Sequence, residues 1–162
     1  LKAINQRKKN WKHRERNSGK KQPLISVVVP AYKNAEKFLR EMIKSLEAQT
    51  YQTGTGIANA SPEDTAMAEV FREYTGKDVR VKVEDLKRKI SERGKYGCRE
   101  EMRVGEFTGL LDHDDLLAPQ ALYRIVEALN QSSEEPDVFY SDEDKVTTDL
   151  SEHFQPHFKP EF

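Results

Sequence analysis

The hydrophobic pattern alternates between two periods along the chain. Leu24-Ile25-Ser26-Val27-Val28-Val29 is a near-continuous β-branched run between Pro23 and Pro30, the pattern of a strand buried on both faces, and it predicts a central parallel strand over 24–29. Asn34 can cap a helix, and Ala35, Phe38, Leu39, Met42, Ile43 and Leu46 then fall on one helical face. Gln49 to Gly56 is polar, leaving Ile57 and Ala58 to suggest a second strand near 56–58. Ser61-Pro62-Glu63-Asp64 predicts a helix start, with Ser61 as cap, Pro62 at the first helical position and acids in the first turn. Met67, Val70, Phe71 and Tyr74 line its inner face, and Gly76 is the expected stop. Val79, Val81 and Val83 alternate with Arg80 and Lys82, which predicts a half-buried strand over 79–83. Residues 85–104 are dense in charge around Gly94 and Gly97 and predict helix pieces about a loop. A strand over 107–111, a helix from Pro119 with Leu122, Ile125, Val126 and Leu129 inward, and a fifth strand over 137–140 complete the series. Strands alternating with helices imply βαβ units: an α/β fold with a mainly parallel sheet and helices on both faces.

The Phe107–Leu111 run ends in Asp112-His113-Asp114-Asp115. Three carboxylates within four residues repel one another, so a cation or hydrogen-bond donors are expected there. Hard oxygen ligands at the carboxyl end of a strand suit Mg²⁺ or Mn²⁺, which keep open positions for phosphate oxygens. The alternative is that Asp114 or Asp115 merely caps the following helix. Other constellations carry less. Asp142-Glu143-Asp144 reads equally as an acceptor-side cluster or as solvated acids at a strand end. His153 and His157 are separated by Pro156, which breaks the helix a zinc pair needs, so both are expected in a loop. From Asp112, an EF-hand would need Gly at Leu117 and Glu at Tyr123, and there is no P-loop or Gly-x-Gly-x-x-Gly.

At 162 residues, the chain is long enough to bury about 68% of the surface its unfolded form exposes. A charged fraction of 34% goes with a mean hydropathy of −0.85, and no apolar run approaches the roughly 20 residues that span a bilayer. The single Cys98 excludes an internal disulfide framework and argues against a thiolate metal site; a reducing, cytoplasmic setting is expected. The net charge of −1 hides an asymmetry. Residues 1–22 carry nine Lys or Arg against Glu15, a net +8, whereas residues 23–162 carry 18 bases against 27 acids, a net −9. The arm, with few apolar residues besides Trp11, reads as a solvated tail; a tether to anionic lipid and a nucleic-acid patch are its sharper alternatives.

Three segments together resemble the family 2 glycosyltransferases of the GT-A fold: Leu24 to Tyr32, the helix end Leu46-Glu47-Ala48-Gln49-Thr50, and Gly105 to Pro119. Tyr140-Ser141-Asp142-Glu143-Asp144-Lys145 and His157-Phe158-Lys159-Pro160 resemble a bacterial branch that builds surface polysaccharides. The resemblance covers residues 23–162 and implies a Rossmann-like, three-layer nucleotide-binding domain preceded by the basic arm of residues 1–22. It implies a nucleotide-sugar donor, UDP-linked, and a saccharide or lipid-linked acceptor; with the cytoplasmic setting and the basic arm read above, a location at the inner face of the membrane with the arm as peripheral contact is expected. Pro30, Ala31 and Tyr32 are then expected to cradle the nucleotide. Asn59, with Ser61 nearby, stands where the family places an acid that grips the base; it can donate and accept but supplies no charge. Asp112 and Asp114 are expected at the nucleotide, and Asp114 or Asp115 at an Mn²⁺ or Mg²⁺ ion. Thr53-Gly54-Thr55-Gly56 and Lys95-Tyr96-Gly97-Cys98-Arg99 depart from the family pattern. The implied chemistry is metal-dependent, inverting glycosyl transfer. The family's catalytic base comes from a later segment, so the chain is expected to be the donor half, truncated at its C-terminus and inactive or slow alone, with Asp142 and Asp144 as weak substitutes for the base. A non-catalytic donor-binding module is the alternative from another class, and nucleic-acid binding through the arm a further one.

Overall fold

A computed structural model describes residues 21–32, 36–51, 54–59, 63–85, 105–134 and 136–160. They form two compact units, divided between Asn130 and Gln131. The basic arm up to residue 20, Ser61, Asn34, and the expected helix pieces between 86 and 104 lie outside the described residues.

In the first unit β1 (Ile25–Ala31), β2 (Gly54–Asn59), β3 (Val81–Asp85) and β4 (Phe107–Leu110) make one parallel sheet in the order β3-β2-β1-β4. All seven residues of β1 are buried, as its unbroken apolar run predicts for a strand covered on both faces. Helices α1 (Glu36–Glu47) and α2 (Thr65–Lys77) are the crossovers from β1 to β2 and from β2 to β3. Both steps move the same way across the sheet, so right-handed crossovers place both helices on one face, where they touch. Leu39, Met42, Ile43 and Leu46 of α1 and Met67, Val70, Phe71 and Tyr74 of α2 are the buried positions, as the spacing predicts. Arg40 joins the helices, donating to Glu36 Oε1 at 2.8 Å and to Glu73 Oε2 at 2.6 Å. Lys77 also pairs with Glu73, and both cations lie over the Tyr74 ring. The two donors hold the Glu73 carboxyl down at about 2. Helix α3 (Ala121–Gln131) buries Leu122, Val126 and Leu129.

Several boundaries differ from expectation for local reasons. Helix α2 starts at Thr65, because the Asp64 carboxylate accepts from Ala66 N and Met67 N, both at 3.1 Å, and takes the capping role expected of Ser61. Gly76 lies inside that helix, which ends when Asp78 donates its amide to Tyr74 O. Asp78 then accepts from the Arg80 amide and guanidinium, a turn that leaves Val79 89% exposed and delays β3 to Val81. The chain pairs into β2 from Gly54, two residues before the expected start, and the preceding Tyr51 is buried with its hydroxyl donating to Pro23 O at 2.5 Å.

The second unit corrects the expected fifth strand. Residues 137–140 form no strand, and the strand pairing lies beyond them, between β5 (Glu143–Val146) and β6 (His153–His157), as an antiparallel hairpin. Its turn carries no glycine: the Asp149 carboxylate accepts from Thr147 Oγ1 at 2.6 Å and from Ser151 Oγ at 2.8 Å, and Leu150 takes a positive φ of 61°. Such side-chain-built turns are weak signals in a sequence. His153 and His157 therefore stand in a strand, at its two ends. Pro156 is tolerated because β6 bulges: Glu143 pairs with His157 and Lys145 with Phe154, so Asp144 faces an extra residue at Gln155, where φ is 49°.

Candidate active site

The strand order reverses between β1 and β4, because the chain steps outward from β1 to β3 and then returns to the other side of β1. In open α/β sheets the carboxyl ends of the strands at such a switch point frame the ligand crevice. Pro30, Ala31 and Tyr32 stand at that end of β1, the first two buried and Tyr32 49% exposed just beyond the strand. The acids Asp112, Asp114 and Asp115 follow the end of β4 beside it. Leu111 donates to Val28 O at 3.2 Å, extending the β1 pairing one residue past β4, and the chain then turns with Asp115 N donating to Asp112 O at 3.1 Å. Asp112 and His113 are half-buried, whereas Asp114 and Asp115 are exposed.

Two features tie this turn down that the pattern of acids did not reveal. His113 Nδ1 lies 3.2 Å from Pro30 O; a carbonyl only accepts, so Nδ1 carries the proton, and the imidazole links the acid turn to the end of β1. On the far side, the turn's exit is held by the C-terminal end of α1. Ser45 Oγ accepts from Leu117 N at 3.2 Å, Thr50 N donates to Pro119 O at 2.8 Å, and Gln49 bonds to Ala118 O and Leu122 N at 2.8 and 3.2 Å. Gln49 occupies the next inward position after Leu46, so a polar residue on an apolar face was its available signal.

At the neighbouring strand ends, Ala31, Asn59 and Asp85 stand in one row of the parallel register. Asp85 is a carboxylate in that row which the alternation of valines, ending at Val83, does not single out in the sequence. Asp142 and Asp144 belong to the second unit and have partners there: Asp142 accepts from Lys159 N at 2.9 Å, and Asp144 Oδ2 lies 3.0 Å from His153 Nδ1.

Among the described residues, no group of three or more His, Cys, Asp or Glu side chains is arranged to hold a metal ion. An Mg²⁺ or Mn²⁺ ion that relies on one or two carboxylates, waters and ligand phosphates needs no such cage. The exposed, all-oxygen pair Asp114 and Asp115 fits that donor chemistry.

The sequence profile described as "Glycosyltransferase like family 2" matches residues 22–144. The chain belongs to glycosyltransferase family 2. Its relatives include an uncharacterised protein, y4gI, of Sinorhizobium fredii, 35% identical over 86% of this chain and 15% of that protein. The O-antigen biosynthesis protein RfbC of Myxococcus xanthus is 30% identical over 88% of this chain and 11% of its own length. The chain therefore spans only a small part of these relatives. Among solved structures, S. aureus TarS 1-349 in complex with UDP superposes with a TM-score of 0.57 at 24% identity, over 67% of this chain and 32% of that one. The mannosyltransferase PcManGT of Pyrobaculum calidifontis, in complex with GDP-Man and Mn²⁺, gives 0.58 at 18% identity, over 76% and 38%. These likenesses show that the family 2 chain has the GT-A glycosyltransferase fold. No helix among its described residues is long and apolar enough to cross a membrane.

Proposed function

We propose that this chain is the donor-binding part of an inverting glycosyltransferase that takes its sugar from UDP and serves surface-polysaccharide synthesis. The observation that carries the reading is the switch point: the ends of β1 and β4 bring Pro30–Tyr32 and Asp112–Asp115 to one edge of the sheet, joined by the His113 contact with Pro30 O. In this reading Tyr32, exposed beside buried Pro30 and Ala31, meets the nucleotide, with Asn59 and Ser61 on the base side and Asp112 at the ribose. Asp85, in register with Asn59, adds the negative charge that the asparagine lacks. Asp114 and Asp115 would hold Mn²⁺ or Mg²⁺, which neutralises charge on a departing diphosphate. The acceptor is a saccharide or a lipid-linked saccharide, the latter meeting the arm of residues 1–22 at an anionic membrane surface. UDP in the TarS structure and O-antigen biosynthesis in the name of RfbC support the donor and the pathway class.

Calorimetry with UDP tests this directly. Binding is expected in Mn²⁺ and lost in EDTA, and Asp114→Asn with Asp115→Asn should remove the metal dependence without unfolding the chain, since the replacements relieve like-charge repulsion. Equal UDP affinity with and without metal, or in the double variant, overturns the reading.

A further inference from the structure

We propose that Gln49, assisted by Ser45, is a positioning residue that sets where the Asp112–Asp115 turn stands relative to the Pro30–Tyr32 end of β1; the inference rests on the donor-site reading above. Gln49 is 3% exposed, and an amide buried to that degree is costly unless its donors and acceptor are all used. They are used almost entirely on the exit of the acid turn. Nε2 donates to Ala118 O at 2.8 Å and lies 3.4 Å from Leu117 O, with Ser45 O at 3.1 Å as its link back to α1. Oε1 accepts from Leu122 N at 3.2 Å, one of the early amides of α3 that have no partner within the helix. Ser45 completes the clamp: its hydroxyl donates to Met42 O at 2.7 Å while accepting from Leu117 N.

Geometry makes this more than local packing. Helix α1 begins four residues after Tyr32 and ends at Glu47, beside the exit of the acid turn. One rigid element thus connects the two strand ends that form the site. His113 ties the near side of the turn to β1 and Gln49 ties the far side to α1, with Asp114 and Asp115 between the two anchors. Preorganisation of this kind matters because partners of metal-binding groups, when removed, typically cost about 10–100-fold in metal affinity.

The test uses the full chain, UDP and Mn²⁺, at a temperature where circular dichroism shows each variant folded. Gln49→Met keeps the shape and removes every bond of the amide. It should weaken Mn²⁺-dependent UDP binding by about 10–100-fold, and raise amide exchange across residues 112–122. Ser45→Ala should act in the same direction more weakly, and Ser45→Thr, which keeps the hydroxyl, should restore binding. Val70→Ala, a cavity in the buried face of α2, controls for lost stability and should leave affinity unchanged. The proposal is overturned by wild-type affinity or wild-type exchange in Gln49→Met, and equally by a Val70→Ala loss as large as that of Gln49→Met. Absence of metal-dependent UDP binding in the parent chain would count against the donor-site reading instead, and exchange of the turn would then decide the positioning role alone.

Discussion

Replacing Gly105 by alanine isolates the contact that seats β4 against β1. A Cβ at Gly105 would stand 2.3 Å from Leu24 O, 2.8 Å from Leu24 C and 2.8 Å from Ser26 N. All three are backbone atoms of the neighbouring segment, so no side chain can swing away and the strand entry itself has to move. Two hydrogen bonds are at stake there: Gly105 N donates to Ser26 Oγ at 2.8 Å and Phe107 N to Leu24 O at 3.4 Å. Forcing extra atoms into a packed site costs about 1–3 kcal/mol, and a weakened hydrogen bond adds roughly 1 kcal/mol. For a chain of this size each kcal/mol lowers Tm by about 2–4 °C, so Gly105→Ala should melt roughly 5–15 °C lower. Gly76 supplies the opposite case, since it lies within α2 and a Cβ there meets nothing within 4 Å. Gly76→Ala should stabilise by about 0.4–1 kcal/mol, through reduced freedom of the unfolded chain and better helix propensity. Thermal and urea denaturation followed by circular dichroism read both. A Gly105→Ala variant as stable as the parent, or a Gly76→Ala variant equally destabilised, would refute the argument from close approach.

Further outcomes follow from other contacts. The Glu73 carboxyl, held low by Lys77 and Arg40, should titrate near 2 by NMR; because its folded value is depressed, the stability it contributes is fully present above its unfolded value and is lost as pH falls toward 2. Arg40→Met should move that titration upward, and an unchanged midpoint would show that the ion pair is absent in solution. Tyr51→Phe removes the buried hydroxyl that bonds Pro23 O and should cost about 1–3 kcal/mol, because a buried carbonyl loses its donor; urea unfolding with an unshifted midpoint would contradict this. Removing residues 1–20, which carry little apolar area, should leave Tm nearly unchanged while abolishing any salt-sensitive binding to vesicles of anionic lipid. A large loss of Tm would mean that the arm packs as structure.

The sequence by itself determined the elements whose burial repeats at a fixed period. The run expected as a strand over 24–29 became the fully buried strand Ile25–Ala31, with Leu24 left exposed before it, and most of the apolar positions read on the three helices became their buried faces, because solvent exclusion acts on spacing that is visible residue by residue. The acids after β4 were equally legible as a candidate site, since like charges placed together at a strand end need a compensating partner. Boundaries and short pairings were decided elsewhere. Asp64 rather than Ser61 capped α2, and Asp149 built a hairpin turn without glycine, because a side chain chooses among competing backbone donors only once the chain is placed. The Val138–Tyr140 triplet carried a strand's composition but forms no strand, whereas the charged Glu143–Val146 paired with β6. Tertiary structure alone supplied what joins residues far apart in the chain: His113 to Pro30, Gln49 to Ala118 and Leu122, Asp85 in register with Asn59, and the glycine at position 105, where a Cβ would overlap Leu24 O. Each is a relation between separate strands or helices, and no periodicity within one segment encodes which distant atom will stand at hydrogen-bonding distance.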